Sequence, residues 1–459
     1  MAQNYCRAKL RGKSFKGQDL TGADFSYSDI RGADFTNAIL KGANFSHAKA
    51  GLQRRWAIAS LIIALLMSAV SGLLSAVGGS LVGYILANGN RENTVIAVIS
   101  ITVLLIFFLI TIRRGVAAAF GFLTVAVALT GIAAVAWAGL VALAWVRTGT
   151  ETGVMELAGV VAVVVTGAVA VIVVATGVVI IAGAAVIAGA IAGLGAVAVT
   201  ISVAGAVAGA VVVAVVKVGG LVVGALAATV AVSTILLSAD ISCRALFEDE
   251  KQTWVRNVAL DLVTRRGSNF QGSNLTDADF TRASLKNSNF LKSTVTRTCW
   301  FQTKKLNRAD VRTTYLEDKN LRQLLVTKDL QNKNFDGWDL QGINLQGANL
   351  ADSSLIAAKL NESNLQDANL SRTNLIEAQL DNTDLRGATL TGAYIGGWRI
   401  TPETKLNGVK CDYIFMCVPT KDNPNPNRLP PNWDEIFKDG EFPQLISPAS
   451  TKPVRSPTP

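Results

Sequence analysis

The stretch GADFSYSDIRGADFTNAILKGANF, residues 22–45, carries a large apolar side chain at every fifth position: Phe25, Ile30, Phe35, Leu40 and Phe45. The count extends back through Leu20 and Phe15 to Leu10, and it resumes near the C-terminus from Leu330 and Phe335 through Leu390 to Ile400. A period of five fits neither a helix of 3.6 residues per turn nor a strand that alternates every second residue. It is an internal repeat. A repeat this short builds a solenoid in which each unit is buried only by its neighbours.

Two residues before each large position the side chain is small, as at Ala23, Ala33, Ala43, Ala348 and Ala368. The residue between them is usually Asp or Asn, as at Asp24, Asp34, Asn44, Asn349 and Asn369. Each unit therefore has two inward positions, one large and one small, and three outward ones. Four units make a square turn, and stacked turns pair their backbones at about 4.8 Å. Asn and Asp suit the tight corners because their side chains hydrogen-bond nearby backbone.

The units Ala-Asp-Phe-Ser-Tyr (23–27), Ala-Asn-Leu-Ala-Asp (348–352) and Ala-Asn-Leu-Ser-Arg (368–372) resemble those of pentapeptide-repeat proteins. The resemblance covers about 50 residues at the N-terminus and about 130 after residue 267. It implies a right-handed quadrilateral β-helix and says little of function, because one fold serves many roles. Repeats flanking a hydrophobic insert are similar to cyanobacterial membrane members of the family, which implies a plasma or thylakoid membrane.

The chain has 459 residues, half of them hydrophobic and 17% charged, with a formal net charge of +10. Residues 56–239 hold almost all the apolar excess, in windows longer than the roughly 20 residues that cross a bilayer. The sequence predicts six spans, at 57–87, 94–112, 116–146, 157–182, 187–216 and 218–238. Valine-rich text suggests strand in water, but a lipid-exposed strand leaves its backbone unsatisfied unless it closes into a barrel. Barrel strands alternate apolar and polar residues, and these segments are apolar throughout, so helix is expected. Glycines four apart, as at Gly79/Gly83, Gly189/Gly193, Gly205/Gly209 and Gly220/Gly224, allow close helix packing.

Residues 1–55 carry ten Lys/Arg against four Asp, and no apolar core near Met1 marks a cleaved leader. Arg54-Arg55 before the first span and Arg113-Arg114 after the second fit the positive-inside rule. Both repeat regions are therefore expected in the cytoplasm with six spans, and on opposite sides with seven.

Eight pentads before the insert make two turns, which is short for a free-standing solenoid. After it, Phe270, Leu275, Phe280, Leu285 and Phe290 resume the count. The expectation is one solenoid with residues 268–300 stacked on 5–48 and the membrane bundle inserted after the second turn. Leu306, Val311, Leu316 and Leu321 slip by one residue, which predicts a bulge near Trp300–Lys304 and a non-repeat segment near 317–328. The fold class is mixed: a pentapeptide-repeat β-helix with an inserted α-helical transmembrane bundle. Its parts are N-terminal repeats 1–50, a transmembrane region 51–240, a juxtamembrane amphipathic helix 241–267, and C-terminal repeats 268–400 with an irregular segment 301–329. A cap 401–446 and a disordered tail 447–459 complete it.

The chain has one histidine, His47, so a histidine triad or a multi-His metal site is excluded. Cys6, Cys243, Cys299, Cys411 and Cys417 lack metal-site spacing, and the odd, scattered set suits a reducing compartment. No phosphate loop, kinase set or nucleophile elbow is present. The sequence thus offers no catalytic, cofactor-binding or metal-ligating residue and implies no cofactor. Some pentapeptide-repeat proteins mimic DNA through an acidic surface, but residues 268–400 balance 16 Lys/Arg against 14 Asp/Glu. Nucleic acid is not an expected partner, since no basic stripe with aromatics stands out. Membrane lipid is expected, together with a protein partner. Lys304, Lys305, Arg308 and Arg312 read as a solvated face rather than an anionic docking patch.

A non-enzymatic membrane-anchored scaffold is the reading that follows. The alternative is a channel or transporter with a β-helical regulatory domain. Such a pathway calls for ionisable residues inside the spans, and Lys217 alone interrupts 157–239.

Overall fold

The computed structural model describes residues 3–87, 91–126, 128, 171–176, 178, 180–189, 194–246, 249, 251, 253–418, 420–421 and 427–446. The chain divides into two compact units, one of residues 1–52 and 267–459 and one of 53–266.

The first unit is a coil with single-residue parallel bridges at every fifth position. Each bridge joins residues twenty apart, as in Asn4 to Asp24 and Asp24 to Asn44. Four bridges therefore make one circuit. Phe25 N donates to Asn44 O at 2.7 Å and Asp24 N to Gln3 O at 2.9 Å, so each layer bonds to the one above and the one below. The corners are four-residue turns closed by bonds such as Ser28 N to Phe25 O at 3.2 Å. Their third residue has positive φ, as at Tyr27 (56°), Gly32 (70°) and Asn37 (55°). The Asp or Asn at the bridge holds the corner from outside: Asp24 Oδ1 accepts from Ser26 N and Asn44 Oδ1 from Ser46 N, both at 2.9 Å.

The large residues fill the axis. Phe25, Phe35, Phe45, Phe270, Phe280 and Phe290 are fully buried. They form two interleaved columns of stacked rings. In one, Phe15, Phe35, Phe270 and Phe290 follow at 5.0, 4.9 and 4.9 Å. In the other, Phe25, Phe45, Phe280 and Trp300 follow at 4.8, 4.8 and 5.0 Å. Adjacent rings of different columns meet edge to face, which suits their quadrupoles.

Both columns run straight across the point where the sequence is interrupted. Asp34, Ile39, Asn44 and Lys49 bridge Asn269, Asn274, Asp279 and Ser284, an offset of 235 residues in place of 20. The two repeat segments thus form one stack. The run before the insert is longer than eight pentads, because Tyr5 stacks on Phe25 at 4.9 Å and Ala50 fills an inward position. The interruption falls midway through the third turn.

The slip falls one residue past the expected bulge. Lys304 still bridges Ser284, but the next bridge, Asn289 to Asp310, spans 21 residues. The extra residue is Lys305, in the left-handed region at φ 59°, and a short 3-10 turn Leu306–Arg308 follows. A second such turn, Tyr315–Glu317, and a helix, Lys319–Thr327, close the segment. Asp318 caps the helix by accepting from Asn320 N and Leu321 N at 2.7 and 3.0 Å. Regular bridges restart at Asp329.

The coil also outlasts the boundary expected at Ile400. Asp384 bridges Lys405, again 21 apart, and Thr389 bridges Lys410. Strand β1 (Ala393–Tyr394) pairs in parallel with β2 (Ile414–Phe415), which pairs antiparallel with β3 (Arg428–Leu429). One inserted residue breaks the count in the sequence without breaking the backbone ladder. The expected tail 447–459 lies outside the described residues.

The second unit is helical where described. Its helices are α1 (Arg54–Ala87), α2 (Arg91–Arg114), α3 (Val116–Ala126), α4 (Val171–Gly189), α5 (Leu194–Leu246) and α6 (Thr253–Thr264). Among the described residues, four segments are long and apolar enough to cross a membrane: Arg54–Ile85, Val171–Gly189, Ala196–Lys217 and Gly220–Ala245. Helix α5 kinks at Gly220, whose φ is 83°. Lys217 is the last residue of the apolar span before that kink. The break expected at 183–186 is absent and α4 runs through it, since Gly-Ala-Ala-Val contains nothing that stops a helix. Most of the expected spans 116–146 and 157–182 lie outside the described residues. The helix expected at 241–267 is split: 241–246 complete α5, and the amphipathic part is α6 alone.

Gly79 and Gly83 of α1 do face α5. A Cβ at Gly79 would stand 2.9 Å from Ala227 Cα, and one at Gly83 3.0 Å from Val223 O. Gly72, outside that pattern, packs tighter still, with Ala204 O at 2.3 Å from the same construction. Gly209 has open space and Gly205 only ordinary contact, so that pair does not mark a helix crossing.

Candidate binding surface

The Asp and Asn of the repeats are engaged by their own corners. Asp19 Oδ1 accepts from Thr21 N at 3.0 Å and from Thr21 Oγ1 at 2.6 Å, and these bonds hold its carboxyl below the usual range. His47 stacks on Tyr27 at 4.4 Å on the outside of the coil. The five cysteines are free thiols. Burial, and then Asp412, push the Cys411 thiol up to about 12, which makes it a small apolar filler rather than a nucleophile. Among the described residues no cluster of His, Cys, Asp or Glu has the arrangement of a metal site.

One cleft of about 450 Å³ opens in the first unit, where the irregular segment separates the two series of bridges. Asp277, Asp279, Arg297, Cys299, Lys328 and Asn344 are among the side chains lining it. The two series of bridges are joined beside it: Arg297 N donates to Gly342 O at 2.6 Å, and the Asn344 side chain donates through Nδ2 to Arg297 O at 2.9 Å. The Arg297 guanidinium clamps Asp277 with two bonds, of 2.7 and 2.9 Å. Lys328 caps the helix Lys319–Thr327 in the left-handed region, at φ 53°. Its Nζ donates to Gln346 O and lies 5.4 Å from the Phe301 ring centroid. Burial holds its pKa below the usual lysine value, opposed by Cys299 and Asp279. Both hydrogen-bond donors and acceptors line the cleft.

None of these residues stood out in the sequence, because Asp277 and Gln346 belong to different series of the repeat. The usable signal was the failure of the count between Trp300 and Leu330. A solenoid that skips units leaves a gap in its wall there.

The bridged pentads and their inward ladder define a short-period repeat solenoid, here carrying a helical insert. A family model, Pentapeptide repeats, matches residues 6–37, 19–50, 266–299, 329–367 and 353–392, in eight copies. Those segments are similar to pentapeptide repeats. No curated protein sequence matches it significantly.

Solved structures resemble parts of the chain. A pentapeptide repeat protein, Rfr23, from the cyanobacterium Cyanothece 51142 is 28% identical over 29% of this chain and 60% of its own, with a TM-score of 0.13. HetL, from the cyanobacterium Nostoc sp. strain PCC 7120 and involved in heterocyst differentiation regulation, is 23% identical over 32% of this chain and 60% of its own, at 0.12. A pentapeptide repeat protein of the Arabidopsis thaliana thylakoid lumen is 26% identical over 20% of this chain and 72% of its own, at 0.09. The chain thus spans about 60% of the length of the first two. The repeat units themselves, not these partial superpositions, carry the assignment.

Proposed function

We propose that the protein is a membrane-anchored, non-enzymatic scaffold whose right-handed quadrilateral β-helix presents its walls and cleft to a protein partner on the cytoplasmic side. The observation that carries this reading is the continuous bridge register across the insert: Asp34 to Asn269 and Lys49 to Ser284 keep one stack intact. A chain that preserves a rigid coil while threading four apolar helices out of it is tethering that coil. The Asp and Asn at bridge positions such as Asp19, Asp24 and Asn44 are spent on their own corners, which favours recognition over chemistry. The cleft beside Lys328 is the natural seat for a polar segment of the partner.

Two measurements test the reading. Partner recovery from detergent-solubilised membranes is expected to drop when Asn344→Arg fills the cleft and to survive an outward change elsewhere, such as Lys292→Gln. The purified chain is expected to give no saturable solute flux in liposomes. Robust flux favours the transporter reading and overturns the scaffold. Recovery that ignores the cleft variant removes the cleft from the proposal.

A further inference from the structure

The bridge register sorts the outward residues of the first stack onto four sides. The side begun by Lys9 runs Lys9, Asp29, Lys49, Ser284 and Lys304 along its bridges. Two residues on, the same units place Arg11, Arg31, Gly51 and Lys286. Over its five layers this side holds eight outward Lys/Arg and one acid, Asp29, a net of +7, whereas the outward residues of the other three sides net 0, +1 and 0. Asp29 is already taken, by Arg11 Nε at 2.6 Å and by Arg31 at 2.9 and 2.7 Å. Lys9, Arg11, Lys49 and Lys304 are exposed. The five layers stand about 20 Å tall, so neighbouring charges lie within one Debye length of each other at physiological salt.

The apolar insert leaves and rejoins the coil on this same side. Gly51 N donates to Ser268 Oγ at 2.8 Å, and Ser268 Oγ donates to Ile30 O at 2.7 Å. Gly51 also lies against Lys286, whose carbonyl a Cβ at Gly51 would meet at 1.9 Å.

We propose that this basic side is a docking surface for anionic phospholipid headgroups. The inference rests on reading the insert as membrane-spanning, and it adds what the coil does at that membrane. The insert springs from the side that carries the coil's surplus charge. Nucleic acid is a poorer occupant: the large residues of these units, Leu10, Ile30, Leu285 and Leu306, point inward, so the units of this side present no aromatic ring of their own to bases. The crowding of charge is visible at Lys286, whose pKa is lowered to about 8 by burial first and then by Arg308 and Lys305.

The test uses the full chain in nanodiscs of phosphatidylcholine alone or with phosphatidylglycerol, with lysine acylation rates read by mass spectrometry. Each of Lys9, Lys49 and Lys304 is expected to react about five-fold more slowly in the anionic discs, an effect that fades at high salt. Lys16, Lys41 and Lys292, on other sides, are expected to be unchanged. Equal rates at Lys9, Lys49 and Lys304 in both discs overturn the proposal. So does equal protection by inorganic phosphate, or by an oligonucleotide, in neutral discs. Failure of the chain to float with lipid at all would instead sink the membrane reading beneath it, so the two failures are separable.

Discussion

At the scale of single residues, the corner position with positive φ is the least conspicuous requirement of this fold. It recurs every fifth residue from Arg7 onward, and Gly12, Gly17, Gly22, Gly32 and Gly42 occupy five of its early places. Arg7, Tyr27, Asn37 and His47 occupy others and hide the rule. Large, small and Asp/Asn positions were legible because each is chosen by chemistry, whereas this one is chosen by backbone geometry that several residues tolerate at a cost. Ala357, exposed at φ 53°, gains nothing from its methyl group. Ala357→Gly is expected to stabilise the coil by about 0.5–1 kcal/mol, and Gly17→Ala, with open space around it, to cost about 1 kcal/mol. Denaturant midpoints check both. Lys286 makes a pH prediction. Its folded-state pKa of about 8 lies below the ordinary 10.5, so the unfolded chain binds more protons between those values. Stability of that layer therefore rises with pH from about 8 to 10.5 and is flat below and above. The rise is expected to disappear in Lys286→Met, as followed by amide exchange of residues 280–290 over that range. An unchanged rise would mean that another group drives it.

At the scale of elements, the sequence located the irregular segment but not its lock. Trp300 Nε1 donates to Tyr315 Oη at 3.0 Å, and Tyr315 Oη donates to Val295 O at 2.8 Å, inside the coil. Burial raises the pKa of that hydroxyl well above its ordinary value, so it stays neutral. Nothing in the spacing says that Trp300 and Tyr315 meet, because their contact depends on the extra residue at Lys305. Tyr315→Phe keeps the ring and leaves the Trp300 N–H and the Val295 carbonyl unpaired, at a cost of about 1–3 kcal/mol. Faster amide exchange across 311–327, with the 335–395 turns unchanged, is the expected signature. Uniform acceleration of both would show that the lock is not local. In the helical unit, the glycine spacing correctly flagged Gly79 and Gly83 but could not rank them against Gly72 or discount Gly205 and Gly209, since closeness depends on which face meets a neighbour. A leucine at Gly79 is expected to separate α1 from α5, and crosslinking of cysteines placed at Ala76 and Ala231 reads that separation.

At the scale of the whole molecule, the interruption is placed with respect to phase. Lys49 and Asn269 are consecutive bridge positions, so the intervening 219 residues stand where a regular corner has four. Ala50, Gly51, Gly267 and Ser268 supply those four, and residues 52–266 are what remains. Ala50 and Ser268 occupy the inward positions, and Gly267 falls at the corner place where φ is positive elsewhere. The sequence announced that the count stopped and resumed, but the phase of the join was readable only once Ala50 was recognised as the large position of its unit. Deleting residues 52–266 should therefore rejoin the coil once Gly51, at φ 112°, resets to the ordinary second corner position, because Gly51 N and Ser268 Oγ are already 2.8 Å apart. Phe35 to Phe270 at 4.9 Å and Phe45 to Phe280 at 4.8 Å hold the layers in register independently of the insert. The shortened chain is expected to be soluble without detergent and to keep the amide protection of residues 20–50 and 270–300. Deletion of 53–266 instead leaves one surplus residue at the corner and should cost stability without preventing the stack. If neither deletion folds, the helical unit is required to form the coil, and the continuous ladder is a consequence of the insert rather than its support.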